Sequence, residues 1–328
     1  MPIVSAPAHV AAVGTYAPQR VLSNADLERM VETSDEWIRQ RTGIARRHVV
    51  SEREFTSDLA AAAVRDLLEH APHIDPASID YVIVGSTTPD YVYPNLASML
   101  QDRYHLPTTA GALDINVACA AFTYGINLAC GLIGTGQIRR ALVVVADALT
   151  RSVDYTDRST CVLFGDGGAA AIVEYSERPA IFGMTAAADG SGGKFLYRTA
   201  MRAEINGVVD ETRLLHQEGA AVYRWVLANV PDFVFRVLER AGMTLDDVDW
   251  FVPHSANLRM IEALAKRLPF PMDRTLLSIE EYGNTSAVSI PLALVPAVRD
   301  GRIKRGDRLL LVSFGGGLVS AGNVVVWG

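Results

Sequence analysis

Three side chains suited to covalent chemistry sit in this chain where apolar runs end. Cys119 lies in Asn116-Val-Ala-Cys119-Ala-Ala-Phe122, His254 in Val252-Pro-His254-Ser-Ala-Asn257, and Asn284 in Tyr282-Gly-Asn284-Thr-Ser-Ala-Val288. A packed sheet delivers side chains into a site at such points, so a nucleophile, an imidazole and a carboxamide form a candidate catalytic set. A cysteine at a helix N-terminus has its thiolate stabilised by unpaired backbone N–H groups and by the helix dipole, which predicts a lowered thiol pKa for Cys119. Imidazole and carboxamide can both donate hydrogen bonds to an oxyanion. Taken singly, each has an ordinary structural reading: a small core cysteine, a hydrogen-bonded histidine after Val-Pro, a Gly-Asn turn. The set therefore depends on a fold that gathers three distant segments.

An internal repeat supplies that fold. Ile79-Asp-Tyr-Val-Ile-Val-Gly85 and Val248-Asp-Trp-Phe-Val-Pro-His254 each follow an amphipathic helical pattern and an Asp-rich turn. Further on, Gly136-Gln-Ile-Arg-Arg leads into Ala141-Leu-Val-Val-Val145, and Gly301-Arg-Ile-Lys-Arg leads into Leu309-Leu-Leu-Val312. This spacing predicts an α/β protein of two duplicated halves, residues 1–175 with the cysteine and 176–328 with the histidine and asparagine. It also predicts that Cys119 and Asn284 occupy equivalent helix starts beside a pseudo-twofold axis.

A chain of 328 residues, 49% of them hydrophobic, can bury a large core. No window reaches the unbroken apolar length of a membrane span and no signal-like leader opens the sequence, so a cytoplasmic protein with no membrane association is expected. Cys119, Cys130 and Cys161 show no paired spacing, which suggests neither a disulfide framework nor a zinc site. The net charge of −7 argues against nucleic-acid binding and leaves an acidic partner dependent on a local basic patch. Residues 257–268 hold one. Ile261, Leu264, Ala265 and Leu268 form the buried stripe of a helix, leaving Arg259, Lys266 and Arg267 outside it.

Other motifs fail. Gly165-Asp-Gly167-Gly-Ala-Ala170 has dinucleotide-loop spacing but runs into Ala171-Ile-Val-Glu-Tyr175, a strand and not the required helix, so a tight backbone turn is expected. Gly190-Ser-Gly-Gly-Lys194 lacks the first glycine and the hydroxyl residue of a phosphate loop. His70 and His73 have no companion at metal-ligand spacing.

Over its whole length the chain resembles the β-ketoacyl-acyl carrier protein synthase III family. The resemblance is carried by Thr33-Ser-Asp-Glu-Trp37-Ile-Arg-Gln-Arg41-Thr-Gly-Ile44, the Cys119 loop, and Asp154-Tyr-Thr-Asp-Arg158-Ser-Thr-Cys-Val-Leu-Phe-Gly-Asp-Gly167. Pro253-His254-Ser-Ala-Asn257-Leu-Arg259, Gly283-Asn284-Thr-Ser-Ala and Phe314-Gly-Gly-Gly317 complete it. It implies a thiolase-like fold with layered α/β/α/β/α architecture, a homodimer, and decarboxylative condensation of an acyl-CoA primer with malonyl-acyl carrier protein, without a metal or organic cofactor. In that chemistry Cys119 carries the acyl group and His254 and Asn284 stabilise the enolate. The backbone N–H groups of Cys119 and Gly316, within the Gly315-Gly316-Gly317 turn, hold the tetrahedral oxyanion.

The resemblance also implies that Trp37 and Arg158 sandwich the CoA adenine, Arg41 meets a phosphate and Asn257 meets pantetheine. It further implies that Arg259, Lys266 and Arg267 face the acidic carrier protein. Tyr93 matches an aromatic gate reaching into the partner subunit's acyl tunnel, with a buried, hydrogen-bonded tyrosine as the alternative. Two departures bear on the substrate. Ala121 stands where the family places Gly, which predicts an added methyl beside the acyl site, and Gly219-Ala220-Ala221-Val222-Tyr223 lacks a pantetheine contact. A related condensing enzyme or acyltransferase of specialised metabolism, such as polyketide or quinolone synthesis, on the same fold is the main alternative function. A thiolase would use a second catalytic cysteine in the C-terminal half, where none lies, and a noncatalytic binding module would need no nucleophile.

Overall fold

The computed structural model describes residues 3–205 and 207–328. Ten strands build two five-stranded sheets: β1 (Ser5–Ala6), β2 (Ala8–Tyr16), β3 (Tyr81–Gly85), β4 (Gly111–Ile115), β5 (Arg140–Asp147), β6 (Gly167–Tyr175), β7 (Ile181–Ala188), β8 (Trp250–Pro253), β9 (Arg308–Gly315) and β10 (Val319–Val326). The first sheet runs β2-β6-β5-β3-β4 and the second β1-β7-β10-β9-β8. Their pairing repeats. In the first, β2 to β6 and β6 to β5 are antiparallel, then β5 to β3 and β3 to β4 are parallel. In the second, β7 to β10 and β10 to β9 are antiparallel and β9 to β8 is parallel, with Thr275 bridging in parallel to Phe251 where β4 has its counterpart.

Six helices matter for the site: α1 (Asp35–Thr42), α2 (Thr56–His70), α3 (Ala121–Gly134), α4 (Gly219–Ala241), α5 (Leu258–Arg267) and α6 (Ser289–Arg299). Helices α3 and α6 lie between the sheets. Phe122, Ile126, Ile290 and Leu294 share one buried cluster with Val143 and Ala171 of the first sheet and Val252 and Leu311 of the second. Helix α2 covers the outer face of the first sheet, and α4 and α5 that of the second, which completes five layers. The corresponding interior strands β5 and β9 are buried almost end to end, as sheets covered on both faces require.

The helix starts pair differently from the expected register. The 3₁₀ turn Ala118–Ala120 leads into α3 and the turn Ser286–Val288 leads into α6, and each turn opens on a left-handed non-glycine residue, Ala118 at φ +46° and Ser286 at φ +55°. Cys119 is thus matched by Ala287, and Asn284 lies before the second turn. The spacing from Gly136 to Gly301 misled because α3 spans 14 residues and α6 only 11. The loop into β9 is longer and absorbs the difference.

Candidate active site

Cys119, His254 and Asn284 line one cavity of about 1330 Å³, which opens between the two halves. Gly315, at the end of β9, lies against the cysteine: a Cβ there would fall 2.8 Å from the Cys119 Cβ and 3.1 Å from its Sγ. Only glycine lets the backbone approach so closely.

Helix α3 begins just after Cys119, yet the thiol is not acidified. Burial pushes its pKa from 9.0 up to about 11; the Ser286 hydroxyl offsets this, the Asp147 carboxylate adds to it, and the N–H groups of Cys119 and Gly316 offset it further. The direction is opposite to the predicted lowering, because desolvation outweighs the Ser286 hydroxyl and the two backbone N–H groups that act on the sulfur. The same two N–H groups lie within hydrogen-bonding reach of the Cys119 sulfur.

His254 follows β8, with its backbone N–H bonded to the Val312 carbonyl at 2.8 Å. Its ring is buried, Nδ1 lies 2.7 Å from Ser289 Oγ, and Phe314 packs edge-on with centroids 5.5 Å apart. Burial drives the imidazole pKa from 6.5 down to about 3, so the ring is neutral at physiological pH. Asn284 is held by backbone bonds to Leu163 and Gly165, and its Oδ1 accepts the Ser286 N–H at 3.0 Å. This fixes the carboxamide with its NH₂ as the group left for the cavity.

Asp147, Ser286 and Ser289 carried no motif of their own in the sequence. Asp147 ends β5, fully buried, with Oδ1 accepting the Thr87 N–H at 2.7 Å and the hydroxyls of Thr87, Thr88 and Ser86. Its pKa is raised by burial. The readable signal was the hydroxyl run Thr285, Ser286 and Ser289 beside Asn284.

At the mouth, α1 is capped by the Ser34 side chain, which accepts the Trp37 N–H at 3.1 Å, and ends at Gly43, φ +79°. A Cβ at Gly43 would strike the Leu258 side chain, so α1 packs directly on the start of α5. Trp37, Arg41 and Asn257 all line the cavity. Arg158 does not; its guanidinium lies 4.9 Å from the Trp37 ring centroid and donates to the Glu32 carbonyl at 2.8 Å. The two side chains that the resemblance casts as a sandwich for a base are in contact with each other. Asn257 has structural work too, capping α5 through Oδ1 and donating to the Arg41 carbonyl at 3.1 Å.

Ile261, Leu264, Ala265 and Leu268 are buried, and Arg259, Lys266 and Arg267 are exposed. Arg267 donates to the Leu227 carbonyl at 2.9 Å, whereas Arg259 and Lys266 form no ion pair among the described residues. Tyr93 is 85% exposed, which overturns the buried alternative; within this chain Tyr91 and Val92, not Tyr93, line the cavity. Ala121 also departs from expectation. It is buried, absent from the cavity wall, and directs its Cβ at Gly85 of β3, where a second Cβ would collide with it. Ala220 does line the cavity.

The Gly165–Gly167 segment is a tight backbone passage into β6, with buried Asp166 accepting the N–H groups of Val50 and Thr150. No cluster of three metal-ligating side chains occurs among the described residues, and none of their helices is long and apolar enough to cross a membrane.

A cysteine, a neutral imidazole and a carboxamide in one cavity between duplicated halves define a condensing enzyme of thiolase-like fold. Residues 113–190 match the family 3-Oxoacyl-[acyl-carrier-protein (ACP)] synthase III, and residues 238–327 match its C-terminal counterpart. The chain is 48% identical to the β-ketoacyl-[acyl-carrier-protein] synthase III 2 of Bacillus subtilis (strain 168), over 98% of this chain and 99% of that protein. The crystal structure of β-ketoacyl-[acyl carrier protein] synthase III from Thermus thermophilus superimposes with a TM-score of 0.94 at 41% identity, covering 98% of this chain and 99% of that one. The priming β-ketosynthase of the R1128 polyketide pathway gives 0.92 at 35%, covering 100% and 98%. The chain belongs to the 3-oxoacyl-[acyl-carrier-protein] synthase III family and is an acyl-transferring condensing enzyme.

Proposed function

We propose that this enzyme condenses an acyl-CoA primer with malonyl-acyl carrier protein, releasing CO₂ and CoA, and so initiates fatty acid synthesis. Cys119 is the nucleophile. Its sulfur attacks the primer thioester, the acyl group passes to sulfur, and CoA leaves carrying the thiol proton. The malonyl group then occupies the emptied site. Its bond to the carboxylate breaks, and the electron pair becomes an enolate whose oxygen accepts hydrogen bonds from Asn284 Nδ2 and the His254 ring. The enolate carbon attacks the acyl-cysteine, the N–H groups of Cys119 and Gly316 hold the tetrahedral oxyanion, and collapse expels the Cys119 thiolate, which takes a proton from solvent to restore the resting thiol.

The observation that carries this reading is the donor geometry. Asn284 Oδ1 is occupied by the Ser286 N–H and the His254 ring is neutral, so the cavity meets hydrogen-bond donors without a fixed positive charge. Such donors gain most from charge that develops only in the transition state.

Trp37, Arg41, Arg158 and Asn257 would receive CoA, while Arg259 and Lys266, with a lesser share for Arg267, would meet the carrier protein. A homodimer is supported by the free edge of β4, whose Leu113 is 41% exposed, and by exposed Tyr91, Val92 and Tyr93 in the connection from β3 to β4. Such a dimer would place Tyr93 against the partner's tunnel. Residues 1–175 and 176–328 are taken as the two halves and the cytoplasm as the site of action. The R1128 relative keeps polyketide priming as the second reading.

Mass spectrometry after incubation with acyl-CoA tests the assignment. Asn284→Ala is expected to accumulate acyl-Cys119 without condensing, and Cys119→Ser to lose the acyl-enzyme. A stable adduct on Cys130 or Cys161 would overturn it.

A further inference from the structure

We propose that Ser289 is a positioning residue that sets the tautomer of His254, keeping the ring proton on Nε2 so that the imidazole presents a donor to the cavity. The inference rests on the reading of His254 as an enolate donor, and it concerns a hydroxyl that the condensing chemistry does not touch.

Ser289 and His254 are both buried, and Nδ1 lies 2.7 Å from Ser289 Oγ. A hydroxyl has one proton to give and two lone pairs to share. One lone pair of Ser289 Oγ accepts the Ser255 N–H at 3.2 Å. Among the hydrogen bonds described for that oxygen, the imidazole is the one partner able to take its proton. Nδ1 is therefore the acceptor. A neutral imidazole has a single N–H, and with Nδ1 accepting, it resides on Nε2. Burial keeps the ring neutral and so preserves this asymmetry.

The serine itself is held from two sides. Its carbonyl accepts the Ser278 hydroxyl at 2.9 Å, and the Ser278 N–H donates to Ser255 Oγ at 3.1 Å, so Ser255, Ser278 and Ser289 frame the histidine. Phe314, packed edge-on, restrains the ring plane. Ser289 is the first residue of α6, and Ala121 is the first residue of α3 in the other half. The hydroxyl is present only in the half that carries the histidine. This arrangement does for the ring what outer hydrogen bonds do for a metal-bound histidine, fixing tautomer and orientation together.

Nitrogen-15 NMR of histidine-labelled enzyme reads the tautomer directly, with His254→Asn identifying its signal among the seven histidines. The wild type is expected to show a protonated Nε2 and a bare Nδ1. Ser289→Ala should give mixed tautomers, and Ser289→Thr, which keeps the hydroxyl, should restore the wild-type signal. In parallel, Ser289→Ala should lower kcat for condensation by about tenfold, the scale of one lost hydrogen bond, with little change in KM or in acylation of Cys119. A wild-type ring protonated on Nδ1, or a tautomer unmoved by Ser289→Ala, would overturn the proposal. Mixed tautomers with unchanged kcat would support it and instead overturn the donor role of His254. If the alanine variant does not fold, the wild-type and threonine spectra still decide.

Discussion

The Cys119 thiol shows two electrostatic effects of different size in competition. A helix N-terminus stabilises a nearby anion by about 0.3 to 1 kcal/mol, or about 2 in buried geometry. The Cys119 pKa nevertheless rises from 9.0 to about 11, with desolvation as the largest cause; each unit corresponds to about 1.4 kcal/mol. At neutral pH the Cys119 side chain rests as a protonated thiol. Ala121 shows a second close balance, since its methyl fills the space that glycine leaves at position 85. Gly85→Ala should therefore destabilise by about 1 to 3 kcal/mol through overpacking, and Ala121→Gly by about 1 kcal/mol through lost helix propensity and a small void. Combined, they should recover at least about 1 kcal/mol of the summed loss, measured by denaturant unfolding. Additive effects would show that the two residues do not share one space. Because the methyl points away from the cavity, Ala121→Gly is now expected to leave primer preference nearly unchanged.

Helix α5 combines several functions in one short element. Its buried stripe fastens it to the second sheet, Asn257 caps it and ties it to α1, and its exposed face carries Arg259 and Lys266, which form no ion pair among the described residues. A partner with an extended acidic surface would read that face as charge, whereas a small thioester would not. Arg259→Glu should raise KM for malonyl-acyl carrier protein several-fold, with a smaller effect at Lys266 and less again at Arg267, whose guanidinium is engaged with Leu227. Single-turnover acylation of Cys119 by acyl-CoA alone should be unaffected, and added salt should weaken the wild type toward the variant. Equal loss in both half-reactions would make Arg259 a structural residue.

For the whole molecule, gathering the site between two halves has a stability consequence. His254 is neutral in the fold with a pKa of about 3, against 6.5 for the free side chain. Between those values the unfolded chain binds a proton that the folded one does not, so stability is present above about pH 6.5 and is lost as pH falls toward 3. Within that window His254 contributes a slope of about 1.4 kcal/mol per pH unit. Urea unfolding from pH 6.5 to 5 should show His254→Asn to be less acid-sensitive than the wild type. An unchanged slope would mean that the ring is protonated in the fold or that other groups compensate.

Local pattern in the sequence was enough to mark β3 and β8 as corresponding strands, to place the buried stripe of α5, and to name Cys119, His254 and Asn284 as ends of apolar runs. These features depend on periodicity and on residue type at short range. The resemblance of whole motifs added the family. Register across the pseudo-twofold was not legible, because α6 is shorter than α3 and so moves Gly301 out of step with Gly136, while the longer loop that follows restores the strand position. Nor were the raised thiol pKa, the direction of the Ala121 methyl, the exposure of Tyr93, or the roles of Asp147, Ser286 and Ser289. Each depends on which atoms from distant segments lie opposite one another and on how far water is excluded there, and only the packed tertiary structure decides that.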